Sequence, residues 1–280
     1  LTYRGKLYGD LTVACIDKNE FMVFGSGAAQ EMHRRWFESH LEKFNVDYKN
    51  RSDDFHGLAI AGPKSRDILQ KIVREDVSNS SFKFRDSRKM FVGGVPAIIN
   101  RISFTGELGY EIYVAPHFQL KLYEELTEAG KEFNIKPFGG RALMSMRLEK
   151  NWGAWTLDYR PDFTAKETGL DVFINWNKDF IGKESAQKDE SKNKLVPLIV
   201  ETNDIDVTYN EAVLKGDKSI GYITSGGFAH FVNKSVAFSY IDQNEIKSDK
   251  GIQVEINGDF FNCSIIKEPL YDPTGQKMRS

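Results

Sequence analysis

Asp10 follows Gly9 and leads into the apolar run Leu11-Thr12-Val13-Ala14. A carboxylate at the entrance to a strand favours a passing cation and accepts a proton from an amine; it can equally cap the turn before the strand. A second stretch, "RISFTGELGYEIYV", alternates Ile102, Phe104, Tyr110 and Ile112 around Gly106 and Gly109. These glycines permit a sharp reversal, which is expected to bring Glu107 and Glu111 to a turn between two strands. On a continuing strand Glu111 and Tyr113 share one face, and Tyr110 and Ile112 the other. The residues alone leave solvated hairpin acids as the alternative. In the third stretch, "SMRLEKNWGAWTLDYRP", Arg147 and Glu149 flank a helix end and are expected to form a structural ion pair. Trp152, Trp155 and Tyr159 either fill a core or stack a flat heterocycle.

Other chemistries lack their residues. The chain has no Ser-His-Asp order, no phosphate-cradling GxxxxGK loop and no metal-ligand spacing, so no metal is expected. "GSGAAQ" departs from a dinucleotide GxGxxG at its third glycine, where Gln30 stands. Cys15 and Cys263 are far apart and imply neither a disulfide framework nor a zinc site, which fits a reducing cytoplasm. Forty acidic residues against 38 Lys and Arg leave no basic excess, so nucleic acid is not an expected partner and a small molecule is. No apolar run reaches the ~18 residues of a membrane span, so no membrane partner is expected.

The elements that must position these residues follow from local pattern. Segments at 11–17 and 21–24, joined by Lys18-Asn19-Glu20, are predicted to pair as a hairpin. "QEMHRRWFESHLEKF" carries Met32, Trp36, Leu41 and Phe44 at near-helical spacing. "GLAIAGPKSRDILQKIV" reads as strand, turn and helix, with Gly62-Pro63 as the start signal. Residues 89–114 predict two or three strands, and helices follow near 119–133 and 140–148. The charged tract "ESAQKDESKNK" places a domain boundary near 190. Beyond it, alternating segments at 196–200, 220–224, 235–241, 252–256 and 260–266 predict a small antiparallel β-barrel. The fold class is therefore α+β over 1–190, followed by all-β over 191–280.

Taken in order, "GKLYGDLTV", "LAIAGPKSRDIL", "FTGELGYEIYV", "SMRLEKNWGAWTLDYRPDFTAKETGL", "DFIGKES", "GYITSGG" and "PLYDPTGQKMR" resemble the aminomethyltransferase (glycine-cleavage T-protein) superfamily along nearly the whole chain. "AWTLDYRP" and "SGGFAHFVNKSVAFSYI" are most like the folate module of its dimethylglycine and sarcosine dehydrogenase branch. The resemblance implies a folate-binding fold, here lacking its N-terminal part, and transfer of a one-carbon unit from a methylamine donor to tetrahydrofolate. It implies FAD only on a domain or subunit outside this chain. By the same resemblance Asp10 matches the family's catalytic aspartate and Glu111 the glutamate that hydrogen-bonds the pterin. Phe104 stands where a tyrosine is common, so a hydroxyl contact is lost there, and Tyr113 and Trp155 join the expected cofactor-binding set. A non-catalytic folate-binding factor, of the kind serving tRNA modification and iron-sulfur maintenance, is the alternative, but its cysteine after "RLEK" is missing. An inert fragment is the other.

Overall fold

The computed structural model describes residues 1–202, 204–248 and 250–280. In chain order the elements are β1 (Thr12–Asp17), β2 (Glu20–Phe24), α1 (Gln30–Leu41), β3 (His56–Ala61), α2 (Ser65–Ile72), β4 (Ser87–Val92), β5 (Val95–Asn100), β6 (Gly109–Val114), α3 (Gln119–Gly130) and α4 (Gly140–Glu149). They continue with α5 (Ala165–Thr168), α6 (Lys183–Gln187), β7 (Asn193–Val200), β8 (Ala212–Lys215), β9 (Lys218–Ala229), β10 (Lys234–Asp242), β11 (Ile252–Ile256), β12 (Asp259–Ile265) and α7 (Gln276–Arg279). Contacts group the chain into two compact units. One is Leu1–Leu11, Gly25–His33 and Met144–Pro273; the other is Thr12–Phe24, Arg34–Leu143 and Thr274–Ser280.

The second unit holds the predicted hairpin, with Val13 opposite Val23, and an antiparallel sheet of order β3-β6-β5-β4. Alternation decides which face of β6 is covered: Tyr110, Ile112 and Val114 are buried, while Glu111 and Tyr113 on the other face stay half-exposed. Ile68 and Leu69 of α2 and Leu122 and Leu126 of α3 cover the buried face, with Ile60, Phe82 and Ile99 completing the core. Each such side chain contributes about 1.5–3 kcal/mol by leaving water.

The strand expected through Ile102 and Phe104 does not form. β5 ends at Asn100, and the next residues make a hydroxyl-braced loop in which Gly106 N–H donates to Ser103 Oγ at 3.1 Å and Glu107 N–H to Thr105 Oγ1 at 3.2 Å. Local hydroxyl acceptors outcompete the ladder there, and Gly106 takes φ +84° to complete the reversal.

The first unit is built on a closed antiparallel barrel of order β10-β7-β12-β11-β8-β9. The five expected strand segments are all present; the short β8, "AVLK", is the sixth and closes the ring. Val196, Leu198 and Val200 alternate inward from β7 to meet Val213, Ile223 and Val254. Closure removes the unpaired edges an open sheet would present.

Candidate functional site

Glu111 lies on β6 opposite Ala59 of β3 and Asn100 of β5. Its Oε2 accepts a hydrogen bond from the Tyr113 hydroxyl at 2.6 Å, as residues two apart on one strand face can. Tyr113 is itself held on both sides. Gly57 faces it across the β3–β6 ladder, where a Cβ would lie 2.9 Å from the ring; the Phe24 ring sits 4.4 Å away, centroid to centroid. Burial, together with the neighbouring carboxylate, pushes the Tyr113 phenol well above its ordinary pKa, so it remains a donor at neutral pH.

Glu111 and Phe104 both line a cavity of about 630 Å³ in this unit, walled by Ile60, Ile68, Leu126 and Phe133 and by the 102–105 loop. The cavity is mainly apolar with one oriented carboxylate. That combination suits a flat heterocycle presenting N–H donors at one edge.

Asp10 and Trp155 lie in the other unit. The Asp10 side chain reaches solvent, yet the surrounding protein strips enough water to raise its pKa above the ordinary aspartate value. Near it electrostatically is buried Tyr159, whose hydroxyl accepts a hydrogen bond from Gly153 N–H at 3.1 Å. Burial, reinforced by the charges of Asp10 and Asp158 against that hydrogen bond, pushes the Tyr159 phenol up to about 12. Trp155 is half-buried against Leu7, Tyr159 and Ala165, a packing role for at least part of its ring.

Sequence pattern did not single out His33, one of two histidines on the amphipathic α1. It is 7% exposed, and its Nε2 lies 3.0 Å from the carbonyl oxygen of Tyr8, two residues before Asp10. Its ring centroid is 5.7 Å from that of Trp155. No local sequence signal marks it, since Gly9 and Gly25, which both approach this ring, are brought to it only by the fold.

The expected Arg147–Glu149 ion pair is replaced by a different one. Arg147 Nη1 donates to Asp158 Oδ2 at 2.6 Å with both side chains buried, and it also reaches the Trp152 carbonyl at 3.0 Å. The Asp158 carboxylate further accepts from Ala154 N–H at 2.9 Å, from the Thr224 hydroxyl at 2.5 Å and from the Ser225 hydroxyl at 2.6 Å. A carboxylate offering two oxygens to four donors, and sited on a turn, takes the guanidinium in preference to a helix neighbour two residues away, which points to a different side. Glu149 instead accepts Phe231 N–H at 2.7 Å, and its burial raises its pKa. The third stretch is thus chiefly a brace. Among the described residues no group of His, Cys, Asp and Glu is arranged to hold a metal, and no helix is long and apolar enough to cross a membrane.

A family model described as the GCVT N-terminal domain matches residues 1–178, and one described as the glycine cleavage T-protein C-terminal barrel domain matches residues 193–272. The mitochondrial dimethylglycine dehydrogenase of Homo sapiens is 36% identical over 289 residues, covering 100% of this chain and 33% of its own. The chain therefore spans about a third of that relative. An aminomethyltransferase of Desulfitobacterium hafniense (strain Y51) is 32% identical over 278 residues, covering 98% of this chain and 75% of its own. In fold, the chain superposes on the crystal structure of the glycine cleavage system aminomethyltransferase T from Bartonella henselae with a TM-score of 0.84 at 21% identity, covering 98% of this chain and 74% of that one.

Proposed function

The chain belongs to the glycine cleavage T-protein family, and from that premise we propose that it is a transferase that passes a one-carbon unit to tetrahydrofolate, giving 5,10-methylenetetrahydrofolate. The unit would come from an N-methyl or aminomethyl donor of the dimethylglycine or sarcosine type, in keeping with the dehydrogenase relative. The observation that carries this reading is the Glu111 carboxylate, fixed by the Tyr113 hydroxyl at 2.6 Å in the wall of a largely apolar cavity of about 630 Å³.

The cavity fits the folate head in size and in donor set. Tetrahydrofolate, when bound, supplies the nucleophilic nitrogens that receive the carbon. With Oε2 engaged by Tyr113, Glu111 offers its remaining acceptor positions to the N–H edge of a pterin and so sets its orientation. Phe104 contributes a flat apolar wall without a hydroxyl. Asp10 is the catalytic group in this reading: its carboxylate attracts a cationic donor, and its raised pKa improves it as a temporary holder of the proton released from an attacking amine. Oxidation of the donor would fall to a flavin domain or subunit elsewhere. We place the division between folate-binding and barrel domains near residue 190, and the protein in the cytoplasm.

Calorimetric titration with tetrahydrofolate tests the binding half. Wild type should bind, and E111A should lose about 1.5–3 kcal/mol of affinity, the worth of hydrogen bonds to a charged acceptor. A folded wild-type sample with no affinity would overturn the function. The catalytic half is read from the rate at which formaldehyde and tetrahydrofolate condense above the uncatalysed background. D10N should bind tetrahydrofolate as wild type does and lose the acceleration; full acceleration in D10N would remove Asp10 from the chemistry.

A further inference from the structure

The backbone around Asp10 is held by a side chain on another element. The ring of His33, on the first turn of α1, donates from Nε2 to the Tyr8 carbonyl at 3.0 Å; because a carbonyl only accepts, the proton must sit on Nε2. Tyr8 returns toward the same turn, its hydroxyl 3.5 Å from the Met32 carbonyl. The ring is also gripped edgewise. A Cβ at Gly9 would stand 2.8 Å from Nε2, and one at Gly25 would stand 3.3 Å from Nδ1 and 2.7 Å from Leu11 Cδ2. A side chain at Gly9 would press on the imidazole itself and one at Gly25 on Leu11, so the ring sits in a closely packed corner against the Tyr8–Asp10 segment.

We propose that His33 is a positioning residue for Asp10: its neutral Nε2–H tautomer, clamped between Gly9 and Gly25, fixes the Tyr8–Asp10 backbone and thereby aims the carboxylate. This rests on the reading of Asp10 as the catalytic group. Burial lowers the His33 pKa, which keeps the ring uncharged at neutral pH, as a neutral Nε2–H donor to the Tyr8 carbonyl requires. Holding a reacting group in place matters because small misplacements at a site are costly: a displacement of about 1 Å can cost on the order of 100-fold in rate.

The test combines a rate with a readout independent of turnover. In H33F, which keeps a ring but removes the donor, formaldehyde–tetrahydrofolate condensation should fall about 10- to 100-fold while calorimetric affinity for tetrahydrofolate is unchanged. H33Q, whose amide nitrogen can reach the Tyr8 carbonyl, should recover most of the loss. G9A should cause a similar fall in the His33 background and little further fall in H33A, where the methyl has room. Nitrogen-15 NMR of the wild type at neutral pH should show Nε2 protonated and Nδ1 bare at His33. Wild-type rates in H33F, or failure of H33Q to rescue, would overturn the proposal. So would an Nδ1–H tautomer, which decides the matter even if H33F does not fold. A wild-type rate in D10N instead overturns the role of Asp10 itself, an outcome distinct from an inactive D10N beside an active H33F.

Discussion

A β-branched residue at positive φ is uncommon, and Thr156 holds φ +74° on an exposed turn, its N–H donating to the Tyr159 carbonyl at 2.9 Å. Relief of that backbone strain at an exposed position should let T156G gain up to about 1 kcal/mol in denaturant unfolding. Asp10 makes a second case of stability surrendered at one residue. Its folded pKa is raised, so the folded state binds this proton more tightly than the unfolded chain, and the cost of the charge is fully present above the raised value and vanishes as pH falls below the ordinary one. D10N should therefore melt higher than wild type at neutral pH, with the gap closing toward the ordinary aspartate range; a gap that widens on acidification contradicts this. At this scale the sequence revealed Glu111 and Tyr113 as partners on one strand face, because a period of two is a geometric necessity. It could not reveal His33, whose burial arises from glycines at 9 and 25 that only the fold brings to it.

Elements were more legible than their joints. The hairpin, the α2 unit and five barrel strands follow from alternation and turn residues, whereas β8 is too short at four residues to stand out from its surroundings. Ile102 and Phe104 continue the alternation of β5 yet lie in a loop, since the hydroxyls of Ser103 and Thr105 capture the backbone donors first. Arg147 was misassigned to Glu149 for a related reason: its partner Asp158 belongs to the next turn, and proximity in sequence gave no hint of it. That buried pair sets the energetics of the α4 end. D158N leaves an uncompensated guanidinium among buried groups and should cost about 3–5 kcal/mol in chemical denaturation, far more than any exposed ion pair of the chain.

For the molecule as a whole, protection should be unevenly spread. β1 and β2 are exposed along most of both strands, while β10 is buried over seven consecutive residues and bonded to β7 and β9. Hydrogen exchange should accordingly run at least about a hundredfold faster in the first pair than in β10. Comparable rates would mean that the hairpin opens only with the rest of the chain. The family was legible from ordered motifs because they mark turns and strand entries spread along the sequence; the donor was not, since selectivity resides in cavity shape.

The four-donor carboxylate of Asp158 bears on the order in which its unit assembles. Two of its donors, Thr224 and Ser225, arrive 66 and 67 residues later in the chain than the acceptor they serve. Until β9 docks, the Arg147–Asp158 turn lacks half its partners and stays hydrated, so its burial waits on a long loop closure and on the barrel. Mutations at 158, 224 or 225 should thus leave the earliest folding events untouched and act on the late step, where a ribosome-bound chain ending before residue 224 could not yet complete the turn.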